Sequence, residues 1–475
     1  MPFIAPSKLN ACAARHASQA ALLGSVLAGC AGLGSEAAQP SATLPAQAPG
    51  STPGPTSAEK PVLVAEQGPR IEGFLSSRLV ERWTSGDHDL DWINLVSLDW
   101  SDPRHSWIRA HVVARASADL DGRQSGSIYS GLSDTHDQSV DFKLYDAYVD
   151  ILASEGLGQL RIGRQFEYET PEIVHYDGLS LRSHPTGDRE FTAGFYGGIP
   201  VRLYQGTSDR RSVLGAFAED RPWKGGRARI DWMHLEDDTL PDQGNGILGL
   251  GLWQQFDGGW AGEAQYTRLE DQDRDLHLRA QWTSADSGFT ASATYYQLFE
   301  TENQLPADID PYTEVLMALF PYKQLGFSAS AELSRRLVLD LALDARRVDD
   351  SGDLGEFNRD WERYRATATF RDVLAEHLDL GVSGDVWDGD ERDTTTWGLD
   401  LNYDTREQWR FGAGSYYSLY KYDLLQNSER DDVRTWYARA DWKIGPKLTL
   451  ELSYVYEDDD QGQYNAVRGG AVWHF

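Results

Sequence analysis

The chain ends in Ala466-Val467-Arg468-Gly469-Gly470-Ala471-Val472-Trp473-His474-Phe475, and this stretch decides how the rest of the sequence is interpreted. Successive side chains of an extended strand point to opposite sides. One side of this strand carries Val467, Gly469, Ala471, Trp473 and Phe475. The other side carries Arg468, Gly470, Val472 and His474. Apart from Val472, one face suits lipid and the other suits water, but an amphipathic strand of a soluble β protein would alternate in the same way.

A final strand that ends on an aromatic residue resembles the closing strand of bacterial outer-membrane β-barrels. This resemblance implies that Trp473 and Phe475 form an assembly signal for the barrel-assembly machinery. It also implies that the partner of the outer surface is outer-membrane lipid.

The composition excludes several classes of protein. Glycine (45), tryptophan (16) and tyrosine (22) are plentiful in the 475 residues, whereas methionine (3) is scarce, which favours strands and aromatic belts. Beyond the N-terminal region no apolar run reaches the roughly 18 residues of a spanning helix. The formal net charge of −30 argues against nucleic acid as a partner.

The motifs of enzymes, metal sites and cofactor sites are missing from the sequence. Cys12 and Cys30 are the only cysteines, so there is no basis for a zinc or haem site. Acidic segments such as 271–275 and 458–460 lack the pattern of a calcium loop and suit solvated loops. We therefore expect no enzyme, no cofactor and no metal.

The N-terminal region has the pattern of a lipoprotein precursor. Basic residues precede the mainly apolar run 20–29, which predicts a secretory signal peptide over residues 1–29. Leu27-Ala28-Gly29-Cys30 resembles the lipoprotein box, which implies lipidation of Cys30; the alternative is a plain signal with an incidental cysteine. Residues 30–70 are rich in Ala, Pro, Ser and Gly and are predicted to form a disordered tether.

From about residue 71 onward, period-two segments recur with turn residues between them. Many are 10 to 13 residues long, which suits a tilted transmembrane strand better than the usual strand of about five or six residues in a globular domain. Aromatic residues gather at the ends of the apolar faces. The sequence therefore predicts that residues 71–475 form an all-β transmembrane antiparallel up-and-down barrel of about 22 strands, with a range of 16–22.

The connections between these segments also carry information. Counted back from Phe475, short turns alternate with longer polar loops near 458–463, 422–430, 389–393, 349–359, 301–322 and 270–274, as in outer-membrane barrels. The Gly/Ser-rich loop 118–140 and the loop 301–322, which contains the apolar stretch Val315–Phe320, are candidates to narrow the interior. Contact of that apolar stretch with a neighbouring protomer, in a homo-oligomer, is the alternative.

The faces opposite the apolar ones carry charges of both signs. The predicted pore-lining residues are Arg109, Arg115, Arg161, Arg227, Arg229, Arg279, Asp340, Asp344, Arg363, Arg365, Asp379 and Asp385. Opposed arginines and carboxylates would create a transverse field that sorts solutes by charge and dipole. Individually, such residues can equally well solvate the wall and brace one another.

Two segments, Leu144–Val149 and Leu160–Gln165, resemble a strand pair of large porins of the alginate-export and substrate-specific type. The resemblance covers about 25 residues and implies a solute channel. We therefore expect an outer-membrane channel for passive diffusion of small polar solutes. The alternative is a barrel sheath that houses a periplasmic partner such as an electron-transfer protein, and a soluble secreted β protein is a third possibility.

Overall fold

The computed structural model describes residues 68–475 except 123–126, 128, 130–139, 154–156, 169–172, 202–210, 238–244, 285, 300–319, 351–358, 390–392, 406–407, 424–427 and 461. The predicted signal peptide over 1–29, Cys30 and nearly all of the predicted tether lie outside the described residues. So do most of the loop 118–140 and nearly all of the loop 301–322. Lipidation of Cys30 and the role of these loops stay predictions.

Almost every described residue belongs to a β-strand or to a short connection. The strands are β1 Arg70–Trp83, β2 His88–Ser101, β3 Ile108–Asp119, β4 Val140–Leu152, β5 Leu157–Glu167, β6 Val174–Ser183, β7 Thr192–Pro200, β8 Arg211–Asp220, β9 Gly226–Asp237, β10 Asn245–Gln255, β11 Trp260–Leu269, β12 Gln272–Ser284, β13 Phe289–Leu298, β14 Tyr322–Ser334, β15 Leu337–Val348, β16 Trp361–Phe370, β17 Leu378–Gly389, β18 Thr394–Asp404, β19 Trp409–Asp423, β20 Ser428–Ile444, β21 Leu448–Asp458 and β22 Gln463–His474. A 3-10 turn, Pro103–His105, connects β2 to β3. No helix in the described ranges is long and apolar enough to cross a membrane.

Each strand pairs antiparallel with its neighbours in the chain, and β1 also pairs with β22, so the sheet closes on itself. The closing register runs from Phe74 opposite His474 to Trp83 opposite Asn465. Closure removes the free edges that would otherwise expose unpaired peptide groups to lipid. The predicted antiparallel barrel of about 22 strands is confirmed.

The wall has two distinct faces, which follow from the alternation in the sequence. Its outer face exposes large apolar side chains along every part of the circumference, among them Leu79, Trp92, Ile162, Leu250, Leu341, Leu399 and Leu452. Trp473 of the closing strand belongs to this face and is 48% exposed. The inner face carries the polar and charged side chains of the strands together with buried apolar clusters. The closing strand therefore has its apolar side towards lipid, as the sequence predicts.

Aromatic side chains mark the end of the barrel where β1 begins and β22 ends, which we call the terminal end. The Trp409 and Trp442 rings stack with centroids 4.9 Å apart, and Phe411 lies 5.5 Å from Trp409. Trp473 and Phe475 form a further ring pair at 4.9 Å. Amphipathic rings suit a membrane interface, so this belt indicates one boundary of the apolar band.

Some connections depart from the predicted alternation. The loop predicted at 270–274 is a two-residue turn, because Gln272 and Asp273 continue the ladder with β11 through a bulge. The segment Gly197–Pro200 forms the end of β7. At the terminal end, β6 and β7 are joined by a longer connection than predicted, over 184–191.

The terminal-end turns use the residues that their geometry demands. Gly258 and Gly259 both have a positive φ in the turn from β10 to β11, where a side chain would be strained. In the turn from β2 to β3, the Asp102 carboxylate accepts hydrogen bonds from the backbone and side chain of Arg104. The Arg104 guanidinium holds the pKa of Asp102 well below its usual range.

Candidate functional site

The candidate site is the inner face of the barrel, and the register shows how the predicted charged residues reach it. All twelve predicted pore-lining residues lie on strands, on the face opposite the exposed apolar one. Several face an opposite charge directly across the ladder, namely Arg109 and Asp150, Arg279 and Glu263, Asp344 and Arg363, and Arg365 and Asp385. The structure brings these pairs together, and the pore-lining role stays a prediction.

A first group of polar and aromatic residues covers the inner face of β2 to β5. Arg161 donates from Nε and Nη2 to the Asp150 carboxylate at 2.7 and 3.0 Å. Its guanidinium carbon lies 3.7 Å from the centre of the Tyr148 ring. The Tyr148 ring lies 5.2 Å from that of His111, whose Nδ1 is 2.7 Å from Asp99 Oδ1. This group fixes one arginine by charge and by stacking at once.

A second group lies on β8 to β10. Arg229 is almost fully buried and bonds the Asp231 carboxylate from Nε and Nη2 at 2.7 to 3.0 Å. Arg227 pairs with Glu219 at 2.5 Å and stacks on Trp253 at 4.4 Å. The Arg229 guanidinium carbon lies 4.0 Å from the centre of the Phe217 ring, so both arginines are held against the wall by an aromatic ring as well as by a carboxylate.

A third group lies on β16 and β17. Arg363 Nε is 2.9 and 3.0 Å from the two Asp385 carboxylate oxygens, and its guanidinium carbon lies 4.7 Å from the Trp387 ring. Arg115, elsewhere on β3, is buried and donates from Nε to Ser117 Oγ at 2.9 Å. Across these groups each arginine is held beside a partner on the same strand or a nearby one. In each of the three groups, charges of both signs therefore lie side by side.

At the opposite end of the barrel, which we call the loop end, the β19–β20 hairpin leans inwards. Leu419 is fully buried and packs with Trp361 and Trp387, and Tyr417 packs against the same cluster. Those tryptophans lie on the inner faces of β16 and β17, so these contacts pass over the inner side of β18. The hairpin therefore narrows the barrel mouth.

A buried ionic cluster holds this hairpin to β21. Glu457 is fully buried and accepts hydrogen bonds from Lys421 and from Arg430 Nη1, the latter at 2.9 Å. Arg430 also pairs with Asp459. We call Lys421, Arg430, Glu457 and Asp459 the mouth latch. Removing one partner of such a cluster leaves an uncompensated buried charge, so the latch fixes the hairpin strongly.

Sequence reasoning missed the mouth latch and the tryptophan cluster, because no local pattern distinguishes these residues from other members of amphipathic strands. The loop 118–140 contributes one described aromatic side chain to the same region. Tyr129 is only 4% exposed and lies near Arg82 and Tyr464. That this loop narrows the interior stays a prediction.

The fold and the site define a class of protein. A closed antiparallel barrel with an apolar outer belt and a polar, charge-lined interior is the architecture of an integral β-barrel of the bacterial outer membrane. No cation-binding cluster of His, Cys, Asp or Glu occurs within the described ranges.

Comparison with known proteins gives matches to solved structures alone. No family model and no curated protein matches the sequence. OccAB2 of Acinetobacter baumannii is 13% identical, with a TM-score of 0.45, covering 86% of this chain and 98% of that one. OpdK of Pseudomonas aeruginosa, solved with vanillate, is 11% identical with a TM-score of 0.42 over 86% and 98% of the chains. OccK2 (OpdF) of the same organism, in complex with glucuronate, is 10% identical with a TM-score of 0.41 over 86% and 99%.

Proposed function

We propose that the protein is an outer-membrane channel for passive diffusion of small polar solutes, without enzymatic activity. The observation that carries this proposal is the inner face itself. It combines arginines and carboxylates that are held as pairs against the wall, as in the groups around Arg161 and Arg363. Paired charges solvate polar molecules of either sign without presenting one large field.

The width of the barrel supports a channel. Barrels of 16 to 18 strands already leave an aqueous channel, and 22-strand barrels are wider and need something to narrow them. The β19–β20 hairpin supplies part of that narrowing at the mouth through Leu419 and Tyr417. Selection by size at the mouth and by polarity along the wall is the arrangement that we propose.

Planar-bilayer recording of the purified full-length protein tests the proposal. Stable open steps in potassium chloride are expected, with currents reduced by neutral sugars small enough to enter. If the purified protein gives no conductance steps until a bound periplasmic protein is removed, the result would instead support a barrel sheath. Solubility without detergent would contradict both readings.

Removing either charge of the Asp150–Arg161 pair on the inner face should shift the ion selectivity, in opposite directions for the two single variants. Asp150→Asn leaves the positive charge of Arg161 without its partner, and Arg161→Gln leaves the negative charge of Asp150. In a salt gradient we expect the reversal potential to move towards anion preference in the first variant and towards cation preference in the second. The double variant is the control and should lie close to wild type, since both charges are gone. Shifts of the same sign in the two single variants would show that this pair does not face the ion path.

A further inference from the structure

A seam opens in the wall at the loop end, between β18 and β19. These strands pair over only six residues each, from Leu399 opposite Ser415 to Asp404 opposite Arg410. Towards the loop end, β18 continues over Thr394–Gly398, where its partners lie on β17 alone. The upper part of β19 pairs only with β20, because Tyr417 and Leu419 have turned inwards. Among the described residues, the peptide groups of β18 at the seam therefore have no ladder partner.

Arg434 of β20 reaches across this seam on the outer face. Its Nη1 donates to the Trp397 carbonyl oxygen at 2.6 Å. The guanidinium carbon lies 3.9 Å from the Trp397 ring and 5.6 Å from the Trp436 ring, and the two rings meet edge-on at 6.1 Å. Trp397 is 53% exposed and Trp436 is 44% exposed, so this group lies on the lipid-facing surface.

The seam also offers peptide donors beside this arginine. In an antiparallel strand the N–H and C=O of one residue point to the same side, and alternate residues share that side. Since the Trp397 carbonyl points into the seam, the N–H groups of Trp397 and Thr395 point there too. An unpaired N–H facing lipid is costly, and an acceptor that filled the seam would satisfy these groups.

No residue that the structure describes balances the charge of Arg434. Among the described residues it has no carboxylate partner, and its Nη2 atom is buried without a hydrogen bond. Other outward basic side chains near the loop end do have carboxylates, as in the pairs Arg164 with Asp177, Lys323 with Asp349, and Arg347 with Glu362. Arg434 therefore lacks an anion that its counterparts possess.

The height of Arg434 on the barrel indicates which anion is available. On the outer face of β20, Ile444 lies beside the terminal-end belt, and Arg434 lies ten residues nearer the loop end. Ten residues of a strand tilted by about 40° rise roughly 25 Å along the barrel axis, the height of the apolar band of such barrels. Arg434 is thus level with the lipid headgroups of the leaflet at the loop end.

We propose that Arg434, together with Trp397, Trp436 and the N–H groups of the seam, binds the phosphate of a lipid headgroup in that leaflet. A guanidinium can donate two parallel hydrogen bonds to a phosphate, and the flanking rings contact the apolar part of the lipid. The site lies on the outside of the wall, so the lipid-binding proposal does not depend on the channel proposal.

The test is lipid retention measured by native mass spectrometry on the full-length protein in a non-ionic detergent. The probes are monophosphoryl lipid A, a phosphate-free dialkyl glucoside and inorganic phosphate. Wild type should retain the phosphorylated lipid in preference to the other two. Arg434→Gln should weaken that retention on the order of tenfold, as expected for loss of one charge-assisted bidentate contact. Arg434→Lys keeps the positive charge but loses the planar guanidinium that donates two parallel hydrogen bonds. Its retention of the phosphorylated lipid should lie between that of wild type and that of Arg434→Gln.

A matched control exists at a second seam, between β4 and β5, which pair only over Ala147–Leu152 of β4. There Arg164 Nη1 donates to the Leu144 carbonyl at 3.0 Å, but Asp177 already neutralises it. The double variant Arg164→Gln with Asp177→Asn should retain lipid like wild type. Folding of every variant is checked by its heat-dependent mobility in SDS gels, and Arg434→Lys carries the test if Arg434→Gln does not fold.

Three results would overturn the proposal. The folded Arg434 variants could retain as much phosphorylated lipid as wild type does, or wild type could retain the phosphate-free lipid equally well. Inorganic phosphate could also displace the phosphorylated lipid when the two are present at equal concentration.

Discussion

Replacing Glu457 with alanine should widen the barrel mouth and raise the unit conductance of the protein in planar bilayers. Glu457 is the carboxylate that Lys421 and Arg430 share, and all three side chains are buried. Its removal leaves two buried positive charges with Asp459 as their remaining partner in the latch. Breaking a buried pair typically costs about 3–5 kcal/mol. We expect the β19–β20 hairpin, rather than the whole barrel, to absorb this loss.

The same strand supplies a matched control for this prediction. Glu451 also lies on the inner face of β21 and pairs with Arg78 at 2.9 Å, but both side chains are more than a third exposed. Pairs in water contribute about 1 kcal/mol or less, so Glu451→Ala should leave the unit conductance close to wild type. A folded Glu457→Ala barrel with wild-type conductance would show that the mouth latch does not control the opening.

Much of the wall could be predicted from the sequence, because each strand carries its own evidence. A period-two pattern, a length of about ten residues and turn residues at both ends are local properties, and they remain visible in strands such as β15 and β22. The lipid-facing side of the closing strand followed from the same alternation. Strand number was accessible because long amphipathic segments leave few other ways to satisfy their peptide groups.

The mouth could not be predicted, because it depends on contacts between distant parts of the chain. The segment that contains Tyr417 and Leu419 looks like the continuation of an ordinary strand. Its inward turn depends on Trp361 and Trp387, and on Asp432, which has a positive φ opposite it in β20. The partner of each charge was equally hidden, since Arg78 and Glu451 lie 373 residues apart in the chain.

The outward Arg434 was missed for a different reason. Sequence reasoning sorted charged residues to the inner face, and Arg434 breaks that rule. A signal was present, because Arg434 and Trp436 share the face that continues through Ala438 and Ala440 to Trp442. An arginine at the end of an apolar face, two residues beyond a tryptophan, is the pattern that would have revealed it.

Deleting Phe475 should strongly reduce the amount of folded barrel in the outer membrane. The backbone N–H of Phe475 donates to the Gly73 carbonyl at 3.1 Å, and its own carbonyl accepts from Gly73 at 3.3 Å. These two bonds extend the pairing of β22 with β1 to the terminal end. Their loss accounts for only about 1–3 kcal/mol, so a larger defect in cells requires the predicted role of Phe475 as an assembly signal.

Two measurements separate these roles. Outer-membrane fractions of cells are compared for the heat-modifiable folded form, and the purified variant is refolded into lipid vesicles without any assembly machinery. An assembly signal predicts failure in cells with normal refolding in vesicles, whereas a purely structural role predicts a similar, modest loss in both. Phe475→Tyr keeps an aromatic terminus and both backbone bonds, and it should behave like wild type in each. Normal insertion of the deletion variant in cells would show that closure of this barrel does not depend on its last residue.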